Sequence, residues 1–143
     1  MLVGKYEHTI DSKRRLPLPA RLRDALGKTV VLTRGLEGCV FVYTQSQWTE
    51  FAEKVNKLPV SQASARSFAR LFFGSAMEVE LDGLGRVLIP EYLKAHGQLK
   101  KNVVIMGTGG RLELWDKERW EQYQGHEVED MGETVAQLKE FGI

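Results

Sequence analysis

The stretches "DSKRRLPLP" (residues 11–19) and "DGLGRVLIP" (residues 82–90) share one pattern, and that pattern decides the fold. Each has an aspartate, three turn-forming residues, an arginine, an apolar run and a proline. Matching residues continue on both sides in the same order, at a spacing that drifts only from 70 to 73. An ordered series of matches of this kind indicates that the chain is an internal duplication.

Each copy predicts the same series of elements. A half-buried strand leads into a turn, a short second strand follows, and the proline opens a short helix, because its fixed φ suits the first helical turn. Gly27 and Gly97 are predicted to end these two helices in the left-handed conformation, and a β-hairpin completes each copy. A single copy buries little apolar surface, so we expect the two copies to pack around one shared, pseudo-two-fold core.

The segments between and after the copies are predicted to be helical. Thr44 or Ser46, and Asp116, are candidate N-caps of helices that follow the two copies, and Ser61 is the candidate cap of a connecting helix. The chain then divides into a first repeat, connecting helices, a second repeat and an acidic tail that is helical or partly disordered. These four parts are residues 5–47, 48–75, 76–119 and 120–143.

The composition is that of a soluble globular protein, with 43% hydrophobic and 27% charged residues. The longest apolar runs have four or five residues, far fewer than a membrane span needs, and the first residues lack the apolar centre of a signal peptide. Cys39 is the only cysteine, so no disulfide framework is expected within the chain. We therefore expect a cytoplasmic location and no membrane partner.

Charge is distributed unevenly along the chain. Residues 1–36 hold eight lysines and arginines against three acids, whereas residues 113–143 hold three against nine. A basic cluster is the electrostatic signature of a polyanion partner, although composition alone slightly favours a solvated surface.

Lys13, Arg14 and Arg15 are the strongest candidates for a binding site. Three consecutive cations at a turn can approach phosphates, and one arginine can contact a guanine edge with two hydrogen bonds. The alternative is that Arg15 pairs with Asp11 across the turn. The residues alone favour neither interpretation, and both hold together if Asp11 orients Arg15.

The turn of the second copy offers only Arg86. A structural Asp82–Arg86 pair that closes this turn is favoured over DNA contact, for which Arg86 keeps a minor role. Gly85 before it suits a left-handed turn residue. Arg21 and Arg23 follow the first proline near a helix start, where free N–H groups attract phosphate, and receive a secondary role.

No catalytic or metal-binding pattern stands out. "GTGG" (residues 107–110) lacks the lysine and the following helix of a phosphate loop, so it favours a hairpin turn. The three histidines and Cys39 do not have metal-ligand spacing. Trp48, Trp115 and Trp120 recur among apolar residues and indicate core or interface. We therefore expect no enzyme activity, cofactor, metal or small-molecule substrate.

The two copies resemble the halves of MraZ family proteins, and the resemblance covers nearly the whole chain. In the first half it rests on Gly4, Tyr6-Glu7-His8, Asp11-Ser12-Lys13-x-Arg15 and Pro19-Ala20-x-Leu22-Arg23. In the second half it rests on Gly74, Glu78, Asp82-x-x-Gly85-Arg86, Ile89-Pro90 and Glu113-Leu114-Trp115. The paired Asp-x-x-x-Arg motifs at this separation are its specific feature.

This resemblance implies a β-rich α+β fold of two tandem AbrB-like (SpoVT-AbrB) swapped-hairpin repeats, with short helices around a pseudo-two-fold, β-barrel-like core. It implies a ring-shaped homo-oligomer that binds direct repeats in double-stranded DNA ahead of the division and cell-wall gene cluster. Such a nucleoid-associated protein regulates transcription, including that of its own operon, and is expected to act as a repressor. The family's DNA contacts are attributed chiefly to the basic loop of the first motif and its arginine, here Lys13 and Arg15.

The chain departs from the family pattern at Arg14, where glycine is usual and where the second copy has Gly85. A bulky residue adopts the left-handed conformation at a cost of roughly 1 kcal/mol. Either the first turn differs in shape, or it accepts mild strain for an additional charge. Pro17 lacks a strand hydrogen-bond donor, which predicts a position at a sheet edge.

Two other classes of protein are alternatives. One is a protein-interaction module, like the antidote half of a toxin–antidote pair, that would use the acidic tail from Glu127 to Ile143. The other is an OB- or SH3-like barrel that binds RNA, which the internal duplication disfavours.

Overall fold

The computed structural model describes residues 1–143, and it contains eight strands, six α-helices and two 3₁₀ turns. The strands are β1 (Leu2–Thr9), β2 (Arg15–Pro17), β3 (Thr29–Arg34), β4 (Val40–Thr44), β5 (Met77–Glu80), β6 (Arg86–Leu88), β7 (Asn102–Gly109) and β8 (Leu112–Asp116). The helices are α1 (Arg23–Leu26), α2 (Gln45–Asn56), α3 (Ala63–Gly74), α4 (Glu91–His96), α5 (Lys117–Glu129) and α6 (Met131–Gln137). The 3₁₀ turns are Ala20–Leu22 and Lys139–Phe141.

The two repeats exchange strands within one antiparallel sheet, whose order is β1-β7-β8-β4-β3-β5. The first strand of each repeat pairs with the hairpin of the other repeat: β1 lies beside β7, and β5 lies beside β3. At the centre, Phe41 of β4 lies opposite its repeat equivalent Glu113 of β8. This pairing has the pseudo-two-fold relation that the duplication predicts.

The sheet is open and is not closed as a barrel, which corrects the barrel-like core expected from the resemblance. Its outer strands β1 and β5 pair on one side only. Strands β2 and β6 form a separate two-stranded sheet, here called the ribbon. The ribbon covers one face of the large sheet by side-chain packing, so closure by backbone hydrogen bonds is not needed to bury that face.

Alternate residues of the sheet enter two different cores, as the two-residue period of strands requires. One core joins the ribbon, α1 and α4 to one face of the sheet through 18 buried apolar residues, among them Leu16, Leu18, Val87 and Ile89, all with no exposed surface. The molecule is therefore layered, with the ribbon on one side of the sheet and larger helices on the other.

The second core is aromatic and joins α2, α3 and α5 to the opposite sheet face. Trp48 of α2 stacks on Phe72 of α3 with ring centroids 4.9 Å apart, and Trp115 lies 5.3 Å from Trp120. Such pairs contribute about 0.5–1.5 kcal/mol beyond the area they bury. The three tryptophans, predicted to belong to a core or an interface, pack in this aromatic core, with Trp115 buried and Trp48 and Trp120 partly buried.

The helix boundaries test the predicted caps. The Thr44 hydroxyl accepts a hydrogen bond from Gln47 N in a capping box, and an Asp116 carboxylate oxygen accepts one from Arg119 N, so both predictions are confirmed. The prediction that Ser61 caps the connecting helix is wrong, because α3 begins later, after Gln62, without a side-chain cap.

Gly27 and Gly97 differ in conformation although both end a short helix. Gly27 has a φ of 75°, whereas Gly97 has a φ of −76° and the positive φ passes to Gln98, at 48°. The prediction of a left-handed Gly97 is therefore wrong. At Gly97 a side chain would approach Leu99 and Val40 to 3.1 Å, so glycine is explained there by close packing.

Arg119 connects the two repeats near the end of α4. Its Nη1 donates to the carbonyl oxygens of Gly38 in the first hairpin and of Gly97 after α4, both at 2.8 Å. This side chain fixes α4 against the rest of the molecule. The tail after it is helical, and α6 and the last 3₁₀ turn contain no buried residue.

Candidate nucleic-acid interface

The ribbon has an inner and an outer face. Arg15 lies opposite Leu88, and Pro17 lies opposite Arg86. The middle pair of the ribbon, Leu16 and Val87, is buried in the core. Side chains alternate along a strand, so the four flanking side chains point outward and form what is here called the outer ribbon face. Diagonal neighbours in antiparallel strands are about 7–8 Å apart, so Arg15 and Arg86 project from the same small surface.

Pro17 occupies a position that needs no donor. The neighbouring Leu18 N donates to Gly85 O across the ribbon at 3.0 Å. Successive N–H groups of a strand point to opposite sides, so the nitrogen of Pro17 faces away from its partner strand. Both strands of a two-stranded sheet are edge strands. Pro17 therefore lies at a sheet edge, as the sequence predicts.

The first turn (residues 11–15) is built around the Asp11 carboxylate. One oxygen accepts hydrogen bonds from Lys13 N at 2.8 Å and Arg15 N at 2.9 Å, and the other accepts from Arg15 Nε at 2.7 Å. The Arg15 backbone N–H contributes most to holding the pKa of Asp11 below its usual 3.8, and the Arg15 side chain adds to it. The remaining guanidinium nitrogens of Arg15 have no partner in the chain, so Asp11 orients this arginine and leaves its Nη groups free.

The second turn (residues 82–86) has the same geometry. The Asp82 carboxylate accepts from Leu84 N at 3.0 Å, from Arg86 N at 2.9 Å and from Arg86 Nε at 2.7 Å. The Arg86 backbone N–H is again the main cause of the lowered pKa of Asp82. The ion pair expected at this turn is present, and an equivalent pair is present in the first turn.

Arg14 adopts the left-handed conformation that glycine favours. Its φ is 63°, close to the 74° of Gly85 at the equivalent position. The first turn therefore has the same shape as the second turn, and Arg14 accepts the mild strain of a positive φ. The Arg14 Nη1 also donates to Ile89 O in the second repeat at 3.0 Å, so the side chain is anchored on the chain itself.

The equivalent carbonyl in the first repeat is satisfied from a different position. Leu18 O, which corresponds to Ile89 O, accepts a hydrogen bond from Arg23 Nε at 3.3 Å. Arg23 lies across Gly85, where an added Cβ would stand 2.3 Å from its Nε. The residue that follows each ribbon strand thus has its carbonyl oxygen bound by a guanidinium. Arg23 of α1 supplies it in the first repeat, and Arg14 of the first turn supplies it in the second.

The other predicted cations are distributed around this face. Lys13 is exposed in the first turn and has no carboxylate partner. Arg21 is exposed on the 3₁₀ turn after Pro19 and forms no hydrogen bond with the chain. The structure therefore brings Arg15 and Arg86 together on the outer ribbon face, with Lys13 and Arg14 at one end of it.

Lys94 was missed by sequence reasoning. It lies on α4 in the second repeat and lines a cleft with Arg14 of the first repeat. Two residues that line one cleft from positions eighty residues apart have no local signal in the sequence. The duplication is the one signal that leads to it, since Lys94 occupies the repeat position of Arg23.

The remaining candidate features are the possible metal ligands, the cysteine and the glycine-rich segment. No group of three or more His, Cys, Asp and Glu residues is placed to hold a metal ion. Cys39 is fully buried, and burial raises the pKa of its thiol. The "GTGG" segment forms the end of β7 and its hairpin, as expected. None of the helices has both the length and the apolar character to cross a membrane.

A family model described as "MraZ protein, putative antitoxin-like" matches residues 1–71 and again residues 72–139. The chain belongs to the MraZ family. The two matches separate the two copies of the duplication, with one turn and one ribbon strand in each.

Full-length relatives in the MraZ family agree with this assignment. The chain is 45% identical to "Transcriptional regulator MraZ" of Heliobacterium modesticaldum over 143 residues, which is 100% of both chains. It is 43% identical to the protein of that name from Caldanaerobacter subterraneus subsp. tengcongensis and 41% identical to the one from Alkaliphilus metalliredigens, again over the whole of both chains.

Proposed function

We propose that the chain is a sequence-specific, double-stranded-DNA-binding transcriptional regulator that contacts DNA through the outer ribbon face. The observation that carries this proposal is the pair of oriented arginines, Arg15 and Arg86, whose Nε atoms bind aspartates while their Nη groups are free. The name of the MraZ relatives, transcriptional regulator, supports it.

Each cation has a separate role in this proposal. Arg15 donates to a guanine edge through its Nη groups, since a guanidinium matches the two acceptors of guanine. Lys13 and Arg14 contact backbone phosphates beside that base. Arg86 has a minor contact, because the middle of its turn carries no cation. Arg21 reaches a flanking phosphate.

Several copies of the chain act together. One chain presents a single strongly basic turn, which binds weakly alone, whereas linked copies on spaced DNA repeats gain affinity through effective concentration. The unpaired edges of β1 and β5 offer backbone groups for contacts between chains. The family resemblance supports a ring-shaped homo-oligomer of AbrB-like swapped-hairpin repeats in the cytoplasm, associated with the nucleoid.

The resemblance also supports the target, which is direct repeats ahead of the division and cell-wall gene cluster, including the operon of this chain. Occupied repeats over the promoter would hinder polymerase, which is the action of a repressor.

The test is footprinting of the purified chain on the DNA upstream of its own gene, with its mass measured in solution. We expect protection of spaced repeats by an oligomer, and a loss of about 5- to 150-fold in affinity on Arg15→Ala, since one bidentate base contact contributes about 1–3 kcal/mol. Arg66→Ala is the matched control, because Arg66 is exposed on α3, which packs on the face of the sheet opposite the ribbon. Arg15→Ala protein that is folded, oligomeric and binds like wild type would contradict the site.

A second candidate function is a protein-interaction module of the antidote type. The antitoxin-like description of the family favours it, as do exposed apolar side chains in the tail, such as Val128 and Phe141, which are 73% and 70% exposed. Deletion of residues 124–143 separates the two functions. Retained DNA binding with loss of a protein partner in a pull-down would assign the tail to interaction.

A further inference from the structure

The first turn borders a cleft that the second repeat helps to build. The cleft has a volume of about 850 Å³, and Arg14 lines it together with residues of α4 and the following loop. Three of its lining residues are cations, Arg14, Lys94 and Lys100, and one is an acid, Glu91. The cleft therefore carries a net positive charge.

The three cations differ in how far they are already neutralised. Lys100 Nζ lies 3.3 Å from a carboxylate oxygen of Glu118. Arg14 is held by a neutral carbonyl, Ile89 O, which orients the guanidinium and leaves its charge uncompensated. Lys94 is half-buried and forms neither an ion pair nor a side-chain hydrogen bond. Arg14 and Lys94 are thus two uncompensated cations facing one cleft from two repeats.

The equivalent cleft at the second turn is different. Its volume is about 360 Å³, and its lining combines Arg23 and Lys28 with Glu80 and Asp82. Asp82 is already paired with Arg86, so the uncompensated charges of this cleft are Arg23, Lys28 and Glu80. The first cleft is therefore distinguished by its larger volume and by Lys94, whose ammonium group is free, whereas the equivalent Arg23 is bound to Leu18 O.

We propose that Arg14 and Lys94 hold one phosphate group of the DNA backbone in this cleft. An anchored guanidinium and a free ammonium suit this ligand, because both form charge-assisted hydrogen bonds with phosphate oxygens. The site is assembled from both repeats and adjoins Arg15, so it fixes the backbone next to the base that Arg15 contacts. This inference rests on the proposed DNA-binding function.

The test compares Lys94→Gln with Lys57→Gln. Lys57 is an exposed lysine without a carboxylate partner at the end of α2, on the helical side of the sheet, so the two variants lose the same charge from different surfaces. Binding is measured by fluorescence anisotropy from 50 to 200 mM salt, with the footprinted duplex and a scrambled duplex. Thermal melting checks that both variants are folded.

We expect Lys94→Gln to weaken binding to both duplexes by a similar factor and to reduce the slope of log affinity against log salt by up to about 0.9, the contribution of one phosphate, since Arg14 still faces that phosphate. Lys57→Gln should leave affinity and slope at wild-type values. Equal binding by the two variants would overturn the inference.

Two further arms separate the causes of failure. If Arg15→Ala binds the footprinted duplex like wild type, the proposed function fails at its own site; if Arg15→Ala loses binding and Lys94→Gln does not, only the cleft is wrong. Inorganic phosphate is also titrated into DNA-free protein by calorimetry. Saturable binding that Lys94→Gln removes, with an unchanged DNA salt slope, would assign the cleft to a free phosphate compound and overturn its role with DNA.

Discussion

The first and second turns have the same backbone shape and different chemistry. In each, one aspartate accepts two backbone N–H bonds and the Nε–H of the arginine that ends the turn. The residue before that arginine has a positive φ in both, 63° at Arg14 and 74° at Gly85. The aspartate and the arginine make the same contacts in both turns, although the three residues between them differ in charge.

The ends of the ribbon strands show the same separation of shape from composition. Leu18 O and Ile89 O each accept a hydrogen bond from a guanidinium, but Arg23 of α1 supplies it in one repeat and Arg14 of the first turn in the other. Because Arg14 binds Ile89 O, the helix residue of the second repeat that corresponds to Arg23, which is Lys94, is not needed for this hydrogen bond. A strained residue in the turn is thus accompanied by an uncompensated cation on the helix.

The largest expected effect is on stability and should be equal in the two repeats. Leu18→Ala and Ile89→Ala each remove a fully buried side chain from equivalent positions of one core, so each should lower the free energy of unfolding by about 2–5 kcal/mol. Urea denaturation followed by tryptophan fluorescence measures both. A loss in only one repeat would show that the two copies do not share their core equally.

A turn replacement should have the next largest effect, on DNA binding. The variant Ser12→Gly/Lys13→Leu/Arg14→Gly gives the first turn the middle residues of the second. It should keep the fold and lose at least about tenfold in DNA affinity, because hydrogen bonds to charged groups contribute about 1.5–3 kcal/mol each. Anisotropy on the footprinted duplex measures this loss. Wild-type affinity would mean that the two turns do not differ in function.

Substitutions at the left-handed position should separate the turns by a smaller amount. Gly85→Ala introduces a Cβ at positive φ that displaces Arg23 from Leu18 O, so the free energy of unfolding should fall by about 1–2 kcal/mol. Arg14→Gly relieves strain but loses the bond to Ile89 O and adds freedom to the unfolded chain, so it should change stability by less than about 1 kcal/mol.

Thermal and urea unfolding of the two variants provide the measurement. Gly85→Ala in an Arg23→Ala background is the control, since there the Cβ meets no guanidinium and only the cost of the positive φ remains. An Arg14→Gly variant with wild-type stability and weaker DNA binding would identify Arg14 as a DNA contact.

The smallest expected effect is the acid dependence of stability, which should be similar for both turns. The pKa values of Asp11 and Asp82 are lowered in the folded chain from their usual 3.8, so the unfolded chain binds protons first as the pH falls. The stability from each carboxylate is complete above this usual value and is lost as the pH falls through the lowered pKa. Asp11→Asn and Asp82→Asn should each flatten the decline in stability between about pH 5 and pH 3. Urea titrations at several pH values measure it, and an unchanged decline in either variant would contradict the assignment for that turn.

The elements that were predicted correctly depend on short stretches of chain. Thr44 and Asp116 cap helices because their side chains bind backbone groups three residues away. The ion pairs of the two turns join residues four apart. Errors arose where packing replaced the local signal, as at Gly97, whose glycine is explained by its contact with Leu99 and Val40 while Gln98 takes the positive φ.

The sequence by itself determined the duplication, both Asp–Arg turns, the concentration of charge in the first of them and membership of the MraZ family. Each of these can be recognised from short motifs, because the residues of a motif are close along the chain. Only the tertiary structure decided that the sheet stays open, that Arg15 and Arg86 share one outward face, and that Lys94 and Arg14 line one cleft. These depend on strand pairing and on a shared cleft between repeats some seventy residues apart. Pairing over that distance is set by how two apolar faces pack together, and no local pattern encodes it.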